Sequence, residues 1–244
     1  MSRAEPLPRR FGTGLRSALK TAAVDFYYGS IRLVPANVLW GVTLLALLAV
    51  AVGGGPLVPL VAAPLLAIPY AGVARLAALT VRGRDVVLSD LWRAYREFGL
   101  VALGLGAILT VGSVLLGSNV IIGASQAGFV GWAFATLAGA GLIALWVLSF
   151  PLWLLLVDPE RSDRRRRDRL RLALLLVLAA PGRTALLALV LALLLAISTV
   201  AFAALLTISV AYANLVAARY LLPLADRLET WLAERATGVG RREA

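Results

Sequence analysis

The chain has 244 residues, 61% of them hydrophobic and only 15% charged, against roughly 25% charged in soluble domains. A net charge of +11 would suit nucleic acid, but the basic residues lie between and outside long uncharged runs, which is the positive-inside pattern of a membrane protein. Cysteine and histidine are absent, which removes disulfides, thiol chemistry and thiolate metal sites along with the commonest acid–base side chain.

Three stretches contain no charge: Leu33 to Ala74, Phe98 to Val157 and Thr184 to Ala218, of 42, 60 and 35 residues. A spanning helix needs about 20 apolar residues, so each stretch holds two. The expected fold is therefore all-α: a polytopic membrane bundle of six helices arranged as three hairpins, with amphipathic interfacial helices on the cytoplasmic side. The spans fall at about 38–53, 57–81, 99–117, 129–157, 184–200 and 203–222. They form a membrane domain over 36–222, between an interfacial segment at 1–35 and an amphipathic tail at 223–244.

The first residues, with Arg3, Arg9 and Arg10, resemble a signal-peptide n-region, but the apolar run begins only at Leu33, too late for cleavage. The N-terminus is expected to stay cytoplasmic and intact. Leu15, Leu19, Ala22 and Phe26 then recur at helical spacing, with Arg16 and Lys20 off that face. Asn37 opens the first span, and Gly53-Gly54-Gly55-Pro56 supplies the first turn on the far side. Pro64 and Pro69 should kink the second span, and Pro151 the fourth.

Arg75 is one of three arginines nearest the hydrocarbon, with Arg183 and Arg219. Each either binds an anionic group or snorkels from a helix end, and snorkelling is the simpler reading. Beyond it, Leu88, Leu91, Trp92, Tyr95 and Phe98 make an apolar stripe on a helix that Ser89 or Asp90 can cap. Trp92, Tyr95 and Arg96 are the candidate residues for docking a cytoplasmic partner.

Gly106, Thr110, Ser113 and Gly117 put small, weakly polar groups on one face of the third span, and Gly131, Ala135 and Gly139 do the same on the fourth. Small residues let helices approach closely, so these two spans should touch; a solute-lining face is the alternative. The stretch Gly117 to Gly128 is expected to connect them. After the fourth span, Arg164, Arg165, Arg166 and Arg167, flanked by Arg161, Arg169 and Arg171, read equally as a site for anionic lipid headgroups or as a topology signal in an arginine-rich chain.

Pro181-Gly182 should end a third amphipathic segment. The last uncharged run has neither Gly nor Pro, so a turn near Ser198-Thr199, or one long helix, remains open. Asn214 places a polar group on the last span. Leu224, Leu228, Trp231 and Leu232 share a face in the tail. Counting along the chain, the segments 1–32, 75–97, 158–183 and 219–244 carry six, five, eight and five basic residues, which accounts for all 24. The far-side connections carry none, so both termini should be cytoplasmic in a plasma-membrane protein.

The segment from Phe26 to Phe98 resembles the YesL family, bacterial membrane proteins classed as a domain of unknown function. The resemblance is carried by Asn37-Val38-Leu39-Trp40 opening the first span and by the proline-spaced second span with Pro56, Pro59, Pro64 and Pro69. It continues through Tyr70-Ala71-Gly72-Val73-Ala74, Val81-Arg82-Gly83-Arg84-Asp85 and Asp90-Leu91-Trp92-Arg93-Ala94-Tyr95-Arg96. It implies a transport-associated role beside carbohydrate-uptake systems.

No acidic residue falls inside a proposed span, which argues against proton- or sodium-coupled transport of the carboxylate type. No nucleophile or metal constellation points to an enzyme, and no cofactor is expected. Two functions remain. One is an accessory protein that partners transporter subunits; the other is an autonomous transporter or channel for a neutral solute. A wide cavity would favour the second, and a tightly packed interior the first.

Overall fold

Within a bilayer every backbone N–H and C=O must find a partner inside the protein, which leaves helices as the solution for long uncharged runs. The computed structural model, which describes residues 14–55, 57–126 and 128–240, is helical almost throughout and has no strand among them. Its elements are α1 (Leu15–Gly54), α2 (Leu57–Ala62), a 3₁₀ turn (Ala63–Leu66), α3 (Ala67–Val81), α4 (Leu88–Ser125) and α5 (Phe129–Val157). A second 3₁₀ turn (Pro159–Arg161), α6 (Arg166–Ala179), α7 (Pro181–Val200), α8 (Phe202–Ala204), a π-helical turn (Leu205–Ser209) and α9 (Val210–Gly240) complete the chain. Six helices are long and apolar enough to cross a membrane: α1, Leu60–Val81, α4, α5, α7 and Phe202–Arg235. The fold is an all-α polytopic bundle.

Helix limits differ from the sequence expectation in ways the backbone explains. The first two amphipathic segments are not separate helices, because α1 and α4 run unbroken from them into the spans. Nevertheless α1 bends. Ala211 and Tyr212 are neighbours on α9, yet the Ala211 N–H bonds Asn37 and the Tyr212 hydroxyl bonds the Leu19 carbonyl. Eighteen residues of straight helix would separate Leu19 from Asn37 by about 27 Å, too far for one side chain to bridge. The bend falls in a stretch holding Gly29 and Pro35, whose ring removes a helical hydrogen bond. Arg3, Arg9 and Arg10 lie outside the described residues.

Most of the stretch Gly117 to Gly128 is helix, not connection: α4 continues to Ser125, and the turn is confined to the residues around Gly128. Gly55 and Gly128 hold φ of 77° and 114°, so both of these turns require glycine. The last hairpin breaks at Ala201 (φ −95°, ψ 68°), a conformation that needs none. That settles the open choice in favour of two helices, with the turn two residues beyond Ser198-Thr199. Pro64 sits in the 3₁₀ turn that splits the second span, whereas Pro69 lies in the first turn of α3, where its missing N–H costs nothing. Pro181 opens α7 in the same way.

At the centre α1, α3 and α9 pack on one another, so the first and last spans meet; α4 packs on α3 and α5. Leu76, Leu154, Leu191, Leu215 and Leu222 are fully buried among them, while Ile31, Leu100, Ile121, Leu137 and Ile197 face outward as a lipid-facing surface would. The tail is not separate either. It continues α9, with Leu224 and Leu228 buried and Leu232 exposed.

Candidate functional site

All six spans contribute to a cavity of about 810 Å³, within the usual range for small-molecule sites. Its floor is buried: Ala67, Phe150, Trp153, Ala213 and Asn214 are each at most 6% exposed. Tyr70 and Trp153 meet edge to face there at 5.2 Å, with Asn214 beside them in the lining. Its rim is exposed, formed by Leu60, Ser113, Val114, Ala196 and Thr199 near the uncharged ends of the helices. The cavity is therefore blind, open toward the uncharged end.

Local sequence makes this space. The 3₁₀ turn around Pro64 approaches Gly106 so closely that a Cβ there would sit 3.1 Å from the Pro64 carbonyl oxygen. No lining residue is charged, and much of the polar capacity is spent inside the protein. Ser149 donates to the Trp146 carbonyl, Thr199 to that of Leu195 and the Asn214 amide to that of Val210. The Trp146 indole donates across to Ala188 of α7 at 3.1 Å. Thr110 and Ser113 remain as hydroxyls on the α4 wall.

Below the floor the charged end is shut. Arg75, half-buried, donates to the Val157 carbonyl at the charged end of the bundle and lies 5.5 Å from the Phe98 ring centroid. One layer further, Asp158, with no exposed surface, accepts from both Arg82 and Arg161. Asp226 of α9 accepts from the same two arginines at 2.7–2.9 Å, and Glu229 accepts from Arg161 and Arg164. Burial opposes charge on Arg82, but hydrogen bonds to Asp226 and Asp158 outweigh it and its pKa is raised. Arg161 behaves alike: burial lowers its pKa, bonds to Glu229 and Asp226 overcome that, and the net shift is upward. The network pins the ends of α3 and α5 to α9.

The residues singled out in the sequence separate accordingly. Asn37 is fully buried and structural: its amide donates to the Leu205 carbonyl and its oxygen accepts from the Ala211 N–H. Asn214 reaches the cavity floor. Arg219 pairs with Asp25 at 2.6 Å. Trp92 is 61% exposed and Arg96 is exposed, but Tyr95 turns inward over Gly72, where a Cβ would lie 2.5 Å from its ring. Tyr95 also meets the Trp92 ring edge to face at 5.6 Å, so of the three it is the one that links the exposed face to the bundle. Asp90 serves the start of α4, accepting from the Val87 N–H at 3.0 Å.

Arg164 to Arg167 are exposed, although Arg164 also pairs with Glu229 at 2.7 Å. Their flanks point inward: Arg161 is 2% exposed, and Arg169, 6% exposed, donates to the carbonyls of Leu156, Ser162 and Arg164. Burial lowers the Arg169 pKa. The third and fourth spans do touch, through Gly131 and Ala135 of the fourth span as expected, but against a different part of the third. Gly123 and Gly131 make the close approach, whereas Gly106, Thr110 and Ser113 face the cavity.

Sequence reasoning overlooked the Arg82–Asp158–Arg161–Asp226 network. Its signal was Asp158, an acid at the C-terminal end of a helix, where the macrodipole disfavours negative charge unless cations answer it. No family model, curated protein or solved structure matches the chain.

Proposed function

We propose that this protein is a non-enzymatic, multi-pass component of the cell membrane that binds a neutral solute between its spans and passes it across the bilayer, with both termini cytoplasmic. The cavity carries this reading. Every span lines it and no lining residue is charged, so a charged solute would be desolvated there without a counter-ion. Among the described residues every basic one belongs to segments at one end, which supports placing that end in the cytoplasm. Passage requires the shut end to part, and the Arg82–Asp158 layer is the barrier to be broken.

A second reading, an accessory protein for a transport system, is supported by the outward Trp92 and Arg96 together with the YesL resemblance. In that case a carbohydrate would occupy the partner, because this cavity offers few groups to bond a polyol.

The test is purification from native membranes in mild detergent at native expression level, followed by mass spectrometry of bound molecules and proteins. A neutral small molecule retained by the wild type and lost from an Ala213→Phe variant supports the binding reading. Stoichiometric transporter subunits without such a molecule support the accessory one. Recovery of the chain with neither sinks both.

A further inference from the structure

The cavity's chemistry narrows its occupant further, on the premise that it is the binding site of the proposed function. We infer that it takes a neutral amphipath, a single alkyl or acyl chain bearing a small uncharged head, rather than a polyhydroxylated solute. The walls are aliphatic and aromatic, and the hydroxyls of Ser149 and Thr199 are already spent on carbonyls of their own helices. Each buried polar group left without a hydrogen bond is costly, so a sugar would lose water and gain few partners. An alkyl chain pays no such penalty and gains contact along the lining. The cavity nonetheless is not wholly apolar. Tyr70 and the Asn214 side-chain oxygen at the floor, and Thr110 on the α4 wall, present uncharged groups suited to one hydroxyl or carbonyl. The exposed rim at the uncharged end admits such a molecule from the outer surface of the bundle.

The six tryptophans make the test direct. Trp40, Trp146 and Trp153 line the cavity, so replacing Trp92, Trp132 and Trp231 by Phe leaves emission from the cavity alone. The probe is a monoacylglycerol with a dibrominated chain, titrated into the full-length protein in mild detergent. Bromine quenches on contact. The expected result is a saturable loss of emission, weakened by Ala213→Phe and, independently, by the milder Thr110→Leu, each variant first checked for an unchanged elution profile. Quenching that rises linearly with probe and is unaltered in both variants would mean the chain touches only the outer surface, overturning the inference. A radiolabelled disaccharide in equilibrium dialysis separates the two levels. If the disaccharide binds and the brominated chain does not saturate, the amphipath is wrong while the neutral-solute reading stands. If neither binds, both fall.

Discussion

Asn37 and Ala211 close the bundle by joining its first and last spans: the Asn37 side-chain oxygen accepts from the Ala211 N–H at 2.7 Å, while its amide donates to the Leu205 carbonyl at 3.1 Å. The π turn at Leu205–Ser209 explains the need, since an i→i+5 step leaves backbone groups out of register with the following α-helix. Gly41, one turn along α1, lets that irregular backbone come close: a Cβ there would stand 2.9 Å from the Leu206 oxygen.

Asn37→Ala therefore orphans two backbone groups in an apolar setting and should lower stability by about 2 kcal/mol. Asn214→Ala removes an amide bond within its own helix and should cost less than about 1 kcal/mol. Unfolding midpoints in mild detergent check both, and equal effects would contradict the assignment.

Asp158 stands between two arginines with no exposed surface, so its loss leaves Arg82 and Arg161 facing each other with less compensation. Asp158→Ala should destabilise by about 3–5 kcal/mol, the usual cost of breaking a buried pair from one side. The raised arginine pKa values set the sign of the pH effect. Stability contributed by a group whose folded pKa is raised is complete below the unfolded pKa and lost only as pH climbs through the folded one. Between about pH 7 and about pH 10 the arginine contribution should stay constant. A thermal-melt series across that range would expose a mistaken network by a steady alkaline decline.

Gly131 and Gly139 look alike in a four-residue repeat but should respond oppositely to the same change. A Cβ on Gly131 would lie 2.7 Å from the carbonyl oxygens of both Gly123 and Gln126, backbone that has to move. Gly131→Ala is expected to cost about 1–3 kcal/mol. Beside Gly139 the nearest atom is 4.0 Å away, so Gly139→Ala should gain up to about 1 kcal/mol from helix propensity. Melting temperatures of the two variants, measured together, should move in opposite directions.

How far the sequence could be read follows from where its constraints lie. Uncharged run length dictates the number of spans, because the bilayer imposes it, and among the described residues glycine marks the three turns that demand positive φ, at Gly55, Gly83 and Gly128. The break at Ala201 has no such marker, since its backbone angles suit any residue. The cavity was only half legible. Prolines in the second and fourth spans mark kinks without saying what lies beside them, and the small face of Gly106, Thr110 and Ser113 suits packing as well as lining until the partner helix is known. The Asp158 network was hidden for a different reason: Arg82, Asp158 and Asp226 come from three distant segments, and only helix packing brings them together.

Trp92 and Tyr95 offer a separation that a double substitution would blur. Tyr95 fills the notch over Gly72, so Tyr95→Ala opens a void and should cost about 2–4 kcal/mol. Trp92 stands mostly in the open and Trp92→Ala should leave stability within about 0.5 kcal/mol. Should the protein partner a transport system through this face, Trp92→Ala would reduce recovery of the partner at unchanged melting temperature. Unaltered recovery from that variant would remove the face from consideration.

The absence of cysteine makes orientation directly measurable, because any single introduced thiol is the only one in the chain. Ser125 and Ser162 are both exposed, at the uncharged and charged ends respectively. Ser125 ends α4 beside the Gly128 turn, and Ser162 follows the 3₁₀ turn that carries Arg161. Translocation disfavours moving arginines outward, so the Ser162 end should stay inside. In intact cells a membrane-impermeant maleimide should label Ser125→Cys and spare Ser162→Cys, with both labelled once the cells are broken. The reverse pattern would invert the topology and put the mouth of the cavity on the cytoplasmic side.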